Sequence, residues 1–313
     1  MVDVRLQKLL ICPQCHGELD FDYQRSPQQG GDDVSGGTRD VREQTGDTRE
    51  IRCRTCGCKY LVEGQIPLMF AGVTNDGFGH DLYRAQLRGN FFERVFHNNR
   101  IETLLRLVTD ELQIASGTRV LDVGCNTGPM LIPLRQRGYD VVGVDISTED
   151  VHQAEQYLRE HNLCSGGLSV ADGTRLPFRD RSFDLALLID ILEHTDRPQY
   201  IVSEARRLLV PGGLVIATVP WASHPYVRYT WLRKLLSSRK TIDEHPDAPF
   251  RLEMLQSLFP PSDFEPMCFR LVFHWVCILG VYRVPARATE TALTRPGSRA
   301  FPVRPATGEP SLT

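Results

Sequence analysis

At 313 residues with a formal net charge of −3, the chain can bury one core of about 150–200 residues plus a small module, and it lacks the overall basic balance typical of nucleic-acid binders. No apolar run approaches the roughly 18 residues of a membrane-spanning helix. Nine cysteines accompany a charged first decapeptide with no secretory apolar stretch, so a cytoplasmic setting and metal ligation are expected rather than disulfides.

The first module covers residues 1–70. Cys12-Pro13-Gln14-Cys15 and Cys53-Arg54-Thr55-Cys56 are two C-x-x-C knuckles, a pattern that places four thiolates around one tetrahedral Zn²⁺. Four thiolates leave no open coordination position, so a structural role is expected, and a module this small needs the metal to fold. The gap between the knuckles exceeds the usual 15–20 or so residues. Residues 24–50 are polar and rich in Gly, Asp and Arg, which predicts a disordered insertion at a loop tip, where closure costs grow slowly with length. Cys58 reads as a small packing residue and His16 as an exposed one. Residues 71–115 then predict a helical linker, with Phe91, Phe92, Phe96, Ile101 and Leu105 set among charges, able to cover the site that follows.

Val120-Leu121-Asp122-Val123 runs into Gly124-Cys125-Asn126-Thr127-Gly128, which predicts a buried strand breaking into a tight turn. A helix is expected over Met130 to Arg137, and a second strand over Val141 to Asp145. Gly124, Asn126 and Gly128 let the backbone approach a ligand, and an acid about 20 residues on suits a ribose. A dinucleotide site would read G-x-G-x-x-G and face a pyrophosphate. Here the spacing is G-x-N-x-G, preceded by Asp122.

This pattern resembles motif I of the class I S-adenosylmethionine-dependent methyltransferases. An acid beside the turn suits a cofactor carrying an ammonium and a sulfonium. The resemblance continues through Val170-Ala171-Asp172-Gly173, Leu176-Pro177-Phe178, Ser182-Phe183-Asp184, a buried strand over Leu185 to Ile189, and Arg207-Leu208-Leu209-Val210-Pro211-Gly212-Gly213-Leu214-Val215-Ile216. It spans roughly Gly117 to Val219. It implies an α/β, doubly wound, Rossmann-like sheet of seven strands over residues 116–285, the last strand antiparallel. It also implies S-adenosylmethionine contacts from Asp122, Gly124, Asn126, Gly128, Asp145, Ile146, Asp172, Gly173 and Asp190, with Asp172 near the adenine amino group. The first module, through Leu9-Leu10-Ile11-Cys12 and Tyr60 to Met69, resembles the small zinc-ribbon subunit that activates several eukaryotic RNA and protein methyltransferases; bacterial chains also fuse such a ribbon to a catalytic domain.

Methyl transfer to oxygen or nitrogen needs a positioned acceptor, excluded water and a route for a proton. The carboxyl end of the fourth strand holds Asp190-Ile191-Leu192-Glu193-His194. On a helix starting there, Asp190, Glu193 and His194 share a face. The arrangement resembles the E-x-x-E-H metal motif of ubiquinone-pathway O-methyltransferases and plant small-RNA 2′-O-methyltransferases, which implies a second divalent metal with His245 as a further ligand. Mn²⁺, Co²⁺ or Fe²⁺ suits two imidazoles better than Mg²⁺ does. The same triplet also occurs in methyltransferases without a metal, where Glu193 and His194 serve as an acid/base pair or shape the pocket.

Residues 220–229 carry aromatics able to line a flat acceptor pocket or to cap the core. Arg228 to Lys240 carries five cations that suit either phosphate contacts or a solvated helix face. Leu271 to Val284 predicts a final buried strand, and residues 286–313 predict a disordered tail. The leading expectation is a methyltransferase acting on an oxygen or nitrogen of a small biosynthetic intermediate. RNA gripped by the ribbon is the alternative partner, and a non-catalytic scaffold is a third class; the sequence does not define an oligomeric state.

Overall fold

The computed structural model describes residues 1–21, 48–70, 91–225, 250–273 and 276–286, with backbone alone for residues 48 and 91–98. The insertion expected over 24–50 lies outside these residues except for 48–50, which are strand. The tail expected from 286 lies outside them beyond residue 286, as do 71–90 of the linker and 226–249, which include the whole cationic stretch and His245.

The N-terminal part contains α1 (Val4–Leu9) and the strands β1 (Leu19–Asp20), β2 (Thr48–Cys53), β3 (Lys59–Glu63) and β4 (Ile66–Leu68). Helix α1 starts where Asp3 accepts hydrogen bonds from the N–H groups of Arg5 and Leu6. Helix α2 (Phe91–Arg106) continues into a π-helical turn over Leu107–Glu111. Alternation then follows: β5 (Arg119–Val123), α3 (Leu131–Gln136), β6 (Asp140–Asp145), α4 (Thr148–Glu160), β7 (Leu168–Val170), β8 (Phe183–Ile189), α5 (Pro198–Leu208) and β9 (Leu209–Pro220). The chain closes with α6 (Leu252–Leu258), β10 (Glu265–Val272) and β11 (Cys277–Arg283).

Local chemistry explains these elements. Ser147 caps α4, its hydroxyl accepting from the N–H of Asp150 at 3.2 Å. Helix α5 opens on Pro198 and buries Ile201, Val202, Ala205 and Leu208, one stripe of a 3.6-residue repeat. In β5 and β8, apolar residues face both ways because helices cover both sides of a parallel sheet.

All eleven strands form one sheet in the order β1-β2-β3-β4-β7-β6-β5-β8-β9-β11-β10. The seven from β7 to β10 make the expected doubly wound sheet, with β11 antiparallel to both β9 and β10. The order reverses between β5 and β8, where such sheets open a crevice at their carboxyl ends. One expectation is corrected: Leu271 to Val284 is not a single strand but the end of β10, a turn at Phe273, and β11. Antiparallel partners and the φ of +55° at Phe273 put a hairpin bend inside an otherwise apolar run. No helix of the described residues is long and apolar enough to cross a membrane.

The N-terminal strands extend this sheet rather than standing apart from it. Leu68 of β4 pairs in parallel with Val170 of β7, the N–H of Met69 donates to the carbonyl of Val170 at 2.7 Å, and the Ser169 hydroxyl donates to the carbonyl of Pro67 at 3.0 Å. A second backbone seam joins Ile11 N–H to the carbonyl of Pro177 and Arg179 N–H to that of Leu9, each at 2.9 Å. Val2, Leu6, Leu10, Ile51, Tyr60 and Val62 belong to the same apolar core as Leu176, Phe178 and Phe183.

Removing residues 1–70 is therefore expected to bare the β7 edge and an apolar face together. Soluble yield and size-exclusion profile should show aggregation; a monodisperse, folded truncation would contradict this account.

Candidate active site and cysteine cluster

The carboxyl ends of β5, β6, β7 and β8 gather Gly124, Asp145, Asp172 and Asp190 in neighbouring strands. The turn after β5 is tightly specified. Gly124 has φ of +74°, and a Cβ there would lie 2.6 Å from Cδ1 of Ile191. Asn126, also left-handed at φ +45°, turns its side chain inward: its carbonyl accepts from the N–H of Thr127 at 2.7 Å, and its amide reaches Asp150 at 3.4 Å. Asn126 thus builds the loop with its side chain as well as shaping its backbone.

Asp145 ends β6. One carboxylate oxygen accepts from the N–H of Asn126 at 2.9 Å, the other from that of Ser147 at 3.0 Å. Each oxygen keeps lone pairs for an outside donor such as a ribose hydroxyl. Burial raises its pKa, against the pull of those N–H groups and of His194. Asp122 lies beneath the turn, 3% exposed, with one carboxylate oxygen buried and without a hydrogen-bond partner. Burial, and then the charge of Asp145, push its pKa up to about 7. Asp172 folds one oxygen onto the N–H and hydroxyl of Thr174, both at 2.8 Å. Ile146 is exposed beside Asp145, and a Cβ on Gly173 would crowd Val123 at 3.3 Å. The donor set is rich in acceptors and negative charge, which fits the hydroxyls, amino groups and positive charge of S-adenosylmethionine and opposes a pyrophosphate.

The triplet after β8 departs from expectation. Asp190 is not on a helix; it sits at the strand end with φ of +48°, and only Leu192–His194 form a short 3₁₀ turn. The i, i+3, i+4 face is therefore not formed. Glu193 is buried within this turn and His194 is exposed. Both carboxylate oxygens of Asp190 are engaged: the Thr218 hydroxyl donates to one at 2.5 Å, and Arg100 contacts the other at 2.5 Å. A divalent ion there would have to face the guanidinium, so the second metal site is not supported at Asp190; His245 lies outside the described residues. Sequence reasoning missed Arg100, whose partner is 90 residues away.

Among the described residues, one group alone brings three or more ligating side chains within 4.8 Å: Cys12, Cys15, Cys53 and Cys56. Cys12 and Cys56 lie 3.6 Å apart at sulfur, Cys15 and Cys53 3.5 Å. Tetrahedral Zn–S bonds of about 2.3 Å require sulfur separations of about 3.8 Å, so the four thiols fit zinc closely. The Tyr60 hydroxyl lies 3.0 Å from the sulfur of Cys12. Cys58 stands outside the cluster, packed against the core, and His16 is exposed, both as expected. At the candidate lid, Trp221 is half-buried against the core and its N–H donates to the carbonyl of Val276 at 2.8 Å, so this residue caps the core; 226–229 lie outside the described residues.

Residues 121–217 match the family model described as a methyltransferase domain. A curated relative, the 24-methylenesterol C-methyltransferase 2 of Oryza sativa subsp. japonica, is 36% identical over 148 residues, covering 47% of this chain and 38% of that protein. The demethylmenaquinone methyltransferase of Paenarthrobacter aurescens is 30% identical over 164 residues, covering 50% and 62%. The chain thus spans less than two thirds of the length of these relatives. The magnesium protoporphyrin IX methyltransferase of Synechocystis PCC 6803, solved with bound SAH, superposes with a TM-score of 0.52 at 19% identity, covering 65% of this chain and 93% of that one, a likeness of fold. The chain carries a methyltransferase domain.

The high pKa of Asp122 has a signed consequence. Between about pH 4 and pH 7 the unfolded chain has lost a proton that the native chain keeps, so the native state loses stability as pH rises through that window. Asp122→Asn, which cannot ionise, is expected to gain stability over the parent as pH rises, by about 4 kcal/mol at most by pH 8. Melting curves of both proteins at pH 5 and pH 8 check this; an equal difference at the two values contradicts it.

Proposed function

We propose that this chain is an S-adenosylmethionine-dependent methyltransferase whose acceptor is a small molecule, with its zinc in a purely structural role. The observation that carries the reading is the set of acids at four adjacent strand ends around a turn whose Gly124 and Gly128 hold left-handed backbone. When bound, the cofactor supplies a methyl group on a positively charged sulfur, and the protein must hold it in line with the acceptor. Asp145 would hold the ribose hydroxyls, Asp172 the adenine amino group, and the turn at Gly124 to Gly128 the backbone contacts. The carboxylates disfavour anions in the same space.

His194, exposed at the rim and close enough to Asp145 to lower its pKa, is the residue placed to take a proton from a hydroxyl or amine acceptor. Glu193 is buried in the turn that carries it. The acceptor atom is oxygen or nitrogen on this reading. The likeness to a sterol C-methyltransferase adds carbon as a candidate, and both curated relatives support a small apolar acceptor over RNA. The cations that would favour RNA, at 228–240, fall in a stretch outside the described residues.

Three experiments test the proposal. Titration with S-adenosylmethionine should show binding that Asp145→Ala weakens at least about tenfold. His194→Ala should keep that affinity but lose about 10²- to 10⁴-fold in turnover, measured as radiolabel entering the extract of a host lacking the gene. Label is expected in the small-molecule or lipid fraction, and label confined to RNA would overturn the acceptor class. For the metal, Cys15→Ser should lose zinc by metal analysis and melt at a lower temperature; full zinc content with an unchanged melting point would overturn the cluster assignment.

A further inference from the structure

Arg100 is the point where the linker helix meets the candidate site. It lies on α2, 16% exposed, and forms a 2.5 Å ion pair with Asp190, itself 17% exposed. Its guanidinium carbon also sits 5.6 Å from the ring centre of Phe273, in the bend between β10 and β11. Both partners hold left-handed backbone, Asp190 at φ +48° and Phe273 at φ +55°. Such conformations cost energy in residues other than glycine and persist where surrounding contacts over-determine them.

The contacts around Asp190 do this. Its N–H donates to the carbonyl and the hydroxyl oxygen of Thr218, each at 3.1 Å, and the Thr218 hydroxyl donates to its carboxylate. The next residue, Ile191, fills the space above Gly124 where a Cβ would stand. A physical chain therefore runs from α2 through Arg100 and Asp190 to Ile191 and the glycine turn. The same helix and its π turn bury Leu104, Leu105, Leu107 and Val108 in one core with Phe273 and Cys277.

We propose that Arg100 is a positioning residue: its ion pair with Asp190 latches α2 to the turn that receives the cofactor, so that binding there and closure of α2 are coupled. This rests on the methyltransferase reading above. Asp190 is then neither base nor metal ligand but the anchor of the latch. Loss of Arg100 frees α2 and releases the strained turn, and Ile191 no longer supports the glycine loop.

The test uses the full chain and S-adenosylmethionine as probe, with R100M, R100K, D190N and the R100M/D190N double variant. R106M serves as control, since Arg106 lies on the same helix in an exposed pair with Glu102. Expected are a tenfold or greater loss of affinity in R100M, partial rescue in R100K, and a double variant no worse than its worse single. Hydrogen exchange of residues 99–111 should quicken in R100M and not in R106M, with melting curves verifying that the variants are folded. Binding by the parent with R100M within twofold of it would overturn the latch. A parent that binds no S-adenosylmethionine would defeat the methyltransferase reading instead, and unchanged exchange in R100M would overturn the latch even then.

Discussion

Parallel strands end together, and in this protein they end in acids. Asp145 closes β6, Asp190 and Asp172 follow β8 and β7, and Asp122 is the penultimate residue of β5. Like charges this close and this shielded from water repel, and the molecule answers in several ways. Asp145 takes backbone N–H groups, Asp172 closes on Thr174, Asp190 takes Arg100 and Thr218, and Asp122 keeps its proton into the neutral range. The negative charge that remains at these strand ends favours a cation.

The other constraint is the sheet's edge. An exposed β7 would present unpaired backbone groups ready to recruit another strand. Here β4 pairs with it, and β3, β2 and β1 continue the sheet until it ends beside the cysteine cluster. A module this short cannot close a core of its own, and its buried residues, Leu6, Leu10, Ile51 and Val62 among them, pack into the core of the larger sheet. The four thiols and the shared core with Leu176 and Phe178 supply what its own core lacks.

Much of this was legible in the residues. The G-x-N-x-G turn and each C-x-x-C knuckle are short, contiguous patterns, where local physics leaves few options. What escaped was non-local or depended on a single backbone angle. Asp190, Glu193 and His194 fit a helical face by spacing, yet a left-handed residue at the strand end breaks the face before it forms. The apolar run from Leu271 conceals a bend because Phe273 carries no turn signature. Arg100 could not be singled out, since nothing in an amphipathic linker reveals which of its cations will meet a carboxylate 90 residues on.

These two constraints meet in β6 and β7. Four thiolates complete a tetrahedron, so a metal held by the cysteine cluster has no position left for substrate. Backbone pairing is continuous from the knuckles: β2 pairs with β3, β3 with β4, β4 with β7, and β7 with β6, which ends in Asp145. Asp145 and Asp172 have their useful geometry only while β6 and β7 stay in register, Gly143 opposite Leu168 and Asp145 opposite Val170. The register is set on one side by the glycine turn after β5 and on the other by the seam with β4. The hydrogen bonds that protect the β7 edge are thus the same ones that tie the N-terminal module to the strands of the site.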